Sequence, residues 1–392
     1  MLIPRGNQMR VLGLPMEGAF FVCGSAGSGK SIMALTRALN LAIVNPAEDV
    51  LLLVYVRSLS AFLNGMMQNA LPHGMYKPRN LHILGFHQYV HSCYEAYTGT
   101  GYGEIGHSAE AWDQFTSETA ALMPENICHH IVVDEGQDYT ASMIQFVRKC
   151  YSKSLTVFLD SAQTIFEACG NLALYQQYIL MSEDPVYFQH DYRNCAEITH
   201  FANAVRRCCY WQREVYEQEL EEDHHVEGRK PCFYLFDQKD HEDDWLCRNE
   251  VIANRGFQST AFLFATKREV NDFYQTLIRY GIPKMDLKII NNQIDSFDTN
   301  RGIFVSTYYN SKGLEFDNVF LPDVSFDAIY RGSQTKLRLF YVTITRAKRM
   351  LNLCCFSEPH LLSQLPRDTY DIIDYRNRQR FDFNEYFKDL SF

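Results

Sequence analysis

No apolar run in this chain approaches the ~20 residues that a membrane-spanning helix requires, and Met1–Arg10 does not read as a signal peptide. Both point to a soluble protein. Pairing patterns are missing among the 12 cysteines: no C-x-x-C occurs, and Cys208–Cys209 and Cys354–Cys355 are directly adjacent. That excludes a zinc ribbon and a secreted disulfide framework. Cys23 and Cys354 lie in apolar runs, where cysteine acts as a small hydrophobe, and a reducing cytoplasm is the expected compartment. A basic excess is also missing. The net charge of −10 argues against a surface that grips nucleic acid non-specifically, because such grip comes from phosphate neutralisation. A local basic groove remains compatible with it. No repeat of 20–50 residues and no low-complexity tract interrupts the chain.

What is present is the raw material of two or three domains: 392 residues, 46% of them hydrophobic. Short apolar runs alternate with longer helical patterns. Candidate strands are Ala19–Cys23, Val50–Val56, Leu81–Leu84, His130–Val133 and Leu155–Leu159, then Pro231–Phe236, Thr260–Phe264, Leu287–Ile290, Gly302–Ser306, Asn318–Leu321 and Leu351–Cys355. Helical patterns include Ser31–Ile43, Ser58–Asn69, Ala196–Glu217 and Lys267–Arg279. This alternation predicts an α/β fold with mainly parallel sheets covered by helices. Two stretches break it: the Gly-rich Thr98–Ser108 and the charged Gln218–Arg229, which reads as a solvated surface segment.

Gly24–Ser31 reads GSAGSGKS, a complete G-x-x-x-x-G-K-S that follows an apolar strand and opens a helix. In this context the backbone N–H groups of Gly24, Ser25, Ala26, Gly27, Ser28 and Gly29 are expected to cradle phosphates. Lys30 adds a point charge and Ser31 a magnesium ligand. Ile131–Asp138 reads IVVDEGQD, an apolar strand ending in two carboxylates. Beside a P-loop, Asp134 is expected to hold the Mg²⁺ shell, and Glu135 to orient or deprotonate the attacking water. Near the other end, LRLFYVTITRAKRML (Leu337–Leu351) reads as an amphipathic helix with Arg346, Lys348 and Arg349 at its end. Those cations either compensate the helix dipole or, for Arg346, reach a phosphate held elsewhere.

With the P-loop and DEGQD in place, the order of the remaining motifs resembles that of the UvrD/Rep-like superfamily 1 helicases over most of the chain. Gln8 is similar to the glutamine that reads adenine there. VYVRSLSAF (Val54–Phe62) and GFHQY (Gly85–Tyr89) look like early nucleic-acid-contact motifs, and VVDEGQD resembles the family's DEAQD, with Gly136 replacing alanine. LDSAQTIF (Leu159–Phe166) resembles G-D-x-x-Q-x-I-Y, which implies a γ-phosphate sensor at Gln163. HDYRNCAEI (His190–Ile198) is similar to N-Y-R-S-x-x-x-I, implying that Tyr192 stacks on adenine and Arg193 reaches the γ-phosphate. STYYNSKGLEFDNVFLP (Ser306–Pro322) matches the T-x-H-x-x-K-G-L-E-F motif, with Glu315 expected near the ribose, and TITRAK carries the family's catalytic arginine at Arg346. The resemblance implies two RecA-like P-loop NTPase domains, residues 1–185 and 186–392, with the ATP site in the cleft between them. Two second-domain arginines would then make ATP the link between the domains and hydrolysis the source of motion.

The chain departs from the family in two respects. A small insertion at about Glu95–Pro124 stands where the family carries a large one, and no second insertion is visible, so duplex separation by this chain alone is not expected. EACGN follows Phe166 where the family has a cation and a base-stacking aromatic, and Tyr309 replaces the motif histidine. Phe62, His87, Tyr89, Thr307, Tyr308 and Tyr309 are candidate substitutes for nucleic-acid contact, with Arg57 and Lys312 for backbone phosphates. The expectation is an ATP- and Mg²⁺-dependent ATPase moving on single-stranded DNA, or on RNA, within a larger assembly. The alternative is an ATP-gated regulatory subunit that licenses a partner such as a nuclease without processive movement.

Overall fold

The computed structural model describes residues 4–70, 77–103, 105, 108–160, 171–208, 219–220, 226–253, 259–290, 299–324 and 334–376. The first half forms a sheet of β1 (Gly18–Gly24), β2 (Val50–Val54), β3 (Leu81–Gly85), β4 (Cys128–Val133), β5 (Tyr151–Leu159) and β6 (Val186–Phe188). Its order is β3-β2-β4-β5-β1-β6, and every pair is parallel. A two-residue pair, β7 (His190–Asp191) with β8 (Glu219–Leu220), follows. The second half forms a sheet of β9 (Cys232–Leu235), β10 (Ser259–Phe264), β11 (Leu287–Ile290), β12 (Gly302–Thr307), β13 (Phe316–Leu321), β14 (Ala347–Cys355) and β15 (Asp371–Asp374). It runs β11-β12-β10-β13-β14-β9-β15, again parallel throughout. The result is an α/β fold of two RecA-like domains.

Parallel sheets need helices on both faces, and the burial follows from that. All five residues of β2 and all six of β10 are buried. The covering helices of the first unit are α1 (Gln8–Leu12), α2 (Lys30–Val44), α3 (Arg57–Ala70), α4 (Phe86–Thr98), α5 (Ala109–Leu122), α6 (Ala141–Cys150) and α7 (Leu172–Tyr178). The second unit has α8 (Ala196–Cys208), α9 (Lys239–Ala253), α10 (Lys267–Arg279) and α11 (Gln334–Ile344). Helix α2 turns Met33, Ala34, Ala38, Leu41 and Ala42 inward at a spacing of three to four. A capping box between Thr266 and Glu269 starts α10. One hydrophobic cluster runs from Val54, Leu59 and Leu63 of the first unit to Leu314, Tyr341 and Leu351 of the second, so the two units share core.

Three features correct or add to the sequence reading. Val186–Phe188, expected to open the second domain, instead extends the first sheet by pairing with Val22–Gly24, so the chain crosses over only after Phe188. The Glu95–Pro124 insertion is mostly helical: Gly99, at φ +70°, ends α4, and the Ser108 side chain caps α5. α5 then lies back on α4 and α6 and buries Phe115. Leu337–Leu351 is not one helix. α11 ends at Ile344, Thr345 and Arg346 make the turn, and β14 begins at Ala347 opposite Phe316. Lys348 and Arg349 therefore lie on a strand and do not compensate a helix dipole; Lys348 pairs with Asp317 at 3.0 Å. The predicted helix Ala196–Glu217 is described as far as Cys208.

Candidate nucleotide site

In an all-parallel sheet the carboxyl ends of the strands share one edge, where ligand sites of open α/β sheets form. That edge of the first sheet gathers the loop after β1, Arg57 after β2, Asp134 after β4 and Asp160 after β5. Gly24–Gly29 wraps the start of α2. Gly27 takes φ +76°, and a Cβ there would fall 2.0 Å from Asp191 Oδ1. Only glycine fits both the backbone and the close approach. Lys30 folds back under the loop, donating to the carbonyls of Gly24 (2.9 Å) and Ser25 (2.6 Å) and pairing with Asp160 at 3.3 Å. Gln8 closes the loop from outside, its Nε2 donating to Ser28 O at 2.8 Å. The Tyr192 backbone N–H donates to Gly27 O at 3.1 Å, which brings Tyr192 beside the same loop.

The DEGQD turn is built just as tightly. Asp134 is fully buried; its Oδ1 accepts from Glu135 N at 3.0 Å, and its Oδ2 has no hydrogen-bond partner among the described residues. Burial, and then the Glu135 charge, push the Asp134 carboxyl up to about 7, against the Ser31 hydroxyl, the Glu135 N–H and Lys30. A buried carboxylate beside a serine hydroxyl is a hard oxygen set that suits Mg²⁺. Glu135 adopts the left-handed region (φ +56°), rare for a non-glycine residue and typical of functional turns. Burial raises its pKa, but Lys312, Lys30 and Arg346 outweigh that and hold it below the ordinary value. Gln137 donates to Glu135 Oε2 and accepts from Asp160 N at 3.0 Å, linking the two strand ends.

Gly136, where the resemblance leads one to expect alanine, has a local cause. An added Cβ would lie 2.6 Å from Val157 Cγ1, 3.0 Å from Tyr175 Oη and 3.1 Å from Phe158 O. Tyr175 donates to Gly136 O at 3.0 Å and occupies the space. Gly136→Ala is expected to destabilise the fold by about 1–3 kcal/mol through overpacking, read as a lower urea midpoint. An unchanged midpoint would mean that the turn has room to shift.

The second unit brings its cations to this edge. Arg193 donates through Nη2 to Thr345 O at 2.8 Å and lies 3.6 Å from Glu315. Asn194 Nδ2 donates to Thr345 O at 3.1 Å and also to Ala347 O. Arg346 is 1% exposed. It donates to Val342 O at 2.8 Å, Leu314 O at 3.2 Å and Thr345 Oγ1 at 3.1 Å. Burial and then Arg193 bring its pKa down to about 10, while Glu135 and Glu315 act in the opposite direction. Arg346 is thus an electrostatic neighbour of Glu135 across the two units.

The expected nucleic-acid residues divide. Arg57 is exposed at the start of α3, and Tyr309 is half-buried. Phe62 belongs to the hydrophobic core, and Tyr308 is buried. Thr307 is buried at the end of β12, its Oγ1 accepting from Asn310 N at 3.1 Å. His87 packs among Tyr55, Phe86 and Trp112, and burial followed by His91 lowers its pKa to about 4. Tyr89 packs edge-on against Phe146. Lys312, expected on a phosphate backbone, is instead 1% exposed and bound to Asp138 of the DEGQD turn. A buried ammonium with a carboxylate 2.5 Å away does not face a nucleic-acid surface. Gln163 and Phe166 lie outside the described residues. Sequence reasoning did not single out Asp138, Asp160, Asp191 or Asn194, although all four stand inside the quoted motifs.

Residues 284–358 match the model of the UvrD-like helicase C-terminal domain. The chain is similar to a probable DNA helicase of Mycoplasma pneumoniae, 26% identical over 262 residues; the match covers 62% of this chain and 46% of that protein. The chain therefore spans about half the length of the curated relative it matches. A solved crystal structure, of the C-terminal domain of a possible DNA helicase from Lactobacillus plantarun WCFS1, matches at 20% identity and a TM-score of 0.36, covering 46% of this chain and 98% of that one. Residues 284–358 are thus similar to the UvrD-like helicase C-terminal domain, and the ordered motifs and paired parallel sheets are in keeping with that likeness.

Proposed function

We propose that this chain is an ATP-hydrolysing motor unit that moves on single-stranded DNA as part of a larger assembly. The observation that carries the reading is the convergence of Lys30, Asp134 and Glu135 from one unit with Arg193 and Arg346 from the other. Phosphoryl transfer asks a protein mainly for positioning and charge stabilisation. The loop from Gly24 to Gly29 and Lys30 would cradle the phosphates of ATP. Gln8 and Tyr192, flanking that loop, would hold the adenine, and Glu315 would face the ribose. Ser31 and Asp134 would hold Mg²⁺, which supplies charge neutralisation at the phosphates when bound. Glu135, kept ionised by the surrounding cations, would orient the attacking water and take its proton. Arg193 and Arg346 would face the charge that develops on the transferred phosphoryl group, so turnover would require the two units to be docked.

For the nucleic-acid side, Arg57 is exposed and His87, Tyr89 and Tyr309 are half-buried among the expected contacts. Phosphate release is expected to rise about tenfold or more on adding single-stranded DNA, and the stimulation to weaken with salt as phosphate contacts are screened. The test is a titration with single- and double-stranded DNA and RNA. Stimulation by RNA alone would reassign the substrate, and no response to any polymer would end the motor reading.

The second reading, an ATP-gated regulatory subunit for an effector such as a nuclease, is favoured by one observation. The short connection between α10 and β12 leaves no room for a second inserted domain. Co-purification of a stoichiometric partner whose activity follows the nucleotide state would support it. Unwinding of forked duplex by the isolated chain would contradict it.

A further inference from the structure

Lys312 is the least expected residue of the site. Its ammonium lies 2.6 and 2.5 Å from the two oxygens of Asp138 and 3.7 Å from Glu135 Oε2. Lys312 and Asp138 are each 1% exposed, yet one comes from the second unit and the other from the first. A dry ammonium persists only where a carboxylate compensates its desolvation, so this pair requires the docked arrangement. The loop carrying Lys312 is fixed on both sides. Ser58 of α3 donates to Asn310 O at 2.8 Å, and Gly313 sits against Leu59. Further along the loop, Leu314 O accepts from Arg346, and Glu315 pairs with Arg193. On the opposite side, Asp138 N donates to Glu135 O at 3.0 Å and closes the turn that holds Glu135 in its left-handed conformation.

We propose that Lys312 is a positioning residue: through Asp138 it lets the second unit set the turn that presents Glu135, so that Glu135 works only when the units are docked. This deepens the proposed ATPase reading and rests on it. Lys312 touches no reacting atom; it acts on Glu135, through Asp138 and through its own charge 3.7 Å from Glu135 Oε2.

The test compares Lys312→Met, Lys312→Arg, Asp138→Asn and the Lys312→Met/Asp138→Asn double variant in the full chain. Mg-ATP turnover, KM and the affinity for a fluorescent ADP analogue are measured for each. Lys312→Met is expected to lower kcat about 100-fold while KM and ADP-analogue affinity stay within about threefold, a split that general destabilisation would not give. Lys312→Arg is expected to recover most of the loss, since a cation remains. The double variant, which leaves no unpaired charge, is expected to be no slower than the slower single variant, as two residues of one interaction are not additive. It also keeps the test open if Lys312→Met alone does not fold. Retained kcat in Lys312→Met, parallel loss of affinity and turnover, or a double variant at the product of the two single losses would each overturn the proposal. Lys30→Ala separates this from the underlying reading. Wild-type turnover in Lys30→Ala would remove the nucleotide site itself, whereas loss there with none in Lys312→Met would remove only the role of Lys312.

Discussion

Arg346→Ala is expected to bind nucleotide within about threefold of the wild type and to lose ~10³–10⁵ in turnover, the range that an arginine facing a transferring phosphoryl group supplies. The asymmetry follows from where the side chain sits. Arg346 is held by the carbonyls of Val342 and Leu314 at the second unit's edge, while the loop expected to bind phosphate belongs to the first. On the proposed reading, ground-state affinity would depend mainly on the loop, Lys30 and Gln8. Charge that develops during transfer would depend on the arginines, and an interaction made only in the transition state lowers kcat and kcat/KM together. Because the guanidinium is buried and donates to three oxygens, Arg346→Lys belongs in the same experiment. It keeps the charge but loses the planar fork, and is expected to recover little. Steady-state kinetics beside analogue binding, with circular dichroism to confirm the fold, provide the check. Equal loss of binding and turnover would assign Arg346 to structure or to ground-state binding.

Glu135→Gln should leave a protein that binds Mg-ATP and turns it over about 10²–10⁴ times more slowly, the usual worth of a positioned general base. The substitution is nearly isosteric and removes the charge that Lys312, Lys30 and Arg346 surround. Asp134 and Ser31, the proposed metal ligands, are left intact. Lys30→Ala should act differently, weakening nucleotide binding as well, because Lys30 lies under the loop at the Gly24 and Ser25 carbonyls. Single-turnover phosphate release distinguishes the two. A burst of wild-type speed in Glu135→Gln would show that another group handles the attacking water.

Much of this arrangement was legible because motif and element coincide. Each of the eleven strands read from apolar runs is present, most of them longer by a residue or more, and the P-loop lies at the expected β1–α2 junction. The failures have identifiable causes. Val186–Phe188 and Asp371–Asp374 are too short to show alternation, and their partners β1 and β9 are distant in sequence. In Leu337–Leu351 the buried residues Leu337, Phe340, Tyr341, Ile344, Ala347 and Leu351 keep helical spacing across the point where the helix stops. The break is set by the pairing of Ala347 with Phe316, which no local pattern reports. Phe62 and Lys312 failed for a related reason. The motif strings place them near a nucleic-acid path, but only the apposition of the two units decides whether an aromatic or a cation ends in core, in an ion pair or in solvent. Asp138 stands inside DEGQD, but only the apposed Lys312 distinguishes it from an ordinary turn residue.

The claim that joins these observations is that one nucleotide is held by both units at once. A structure of the chain with Mg²⁺ and a non-hydrolysable ATP analogue tests it most directly. The account predicts the γ-phosphate within hydrogen-bond distance of Lys30, Arg193 and Arg346, with Ser31 in the metal shell, Asp134 directly or through water, and Glu135 facing the attacking side. A nucleotide held by Lys30 alone, with Arg346 still turned onto the Val342 and Leu314 carbonyls and away from the phosphate, would contradict it.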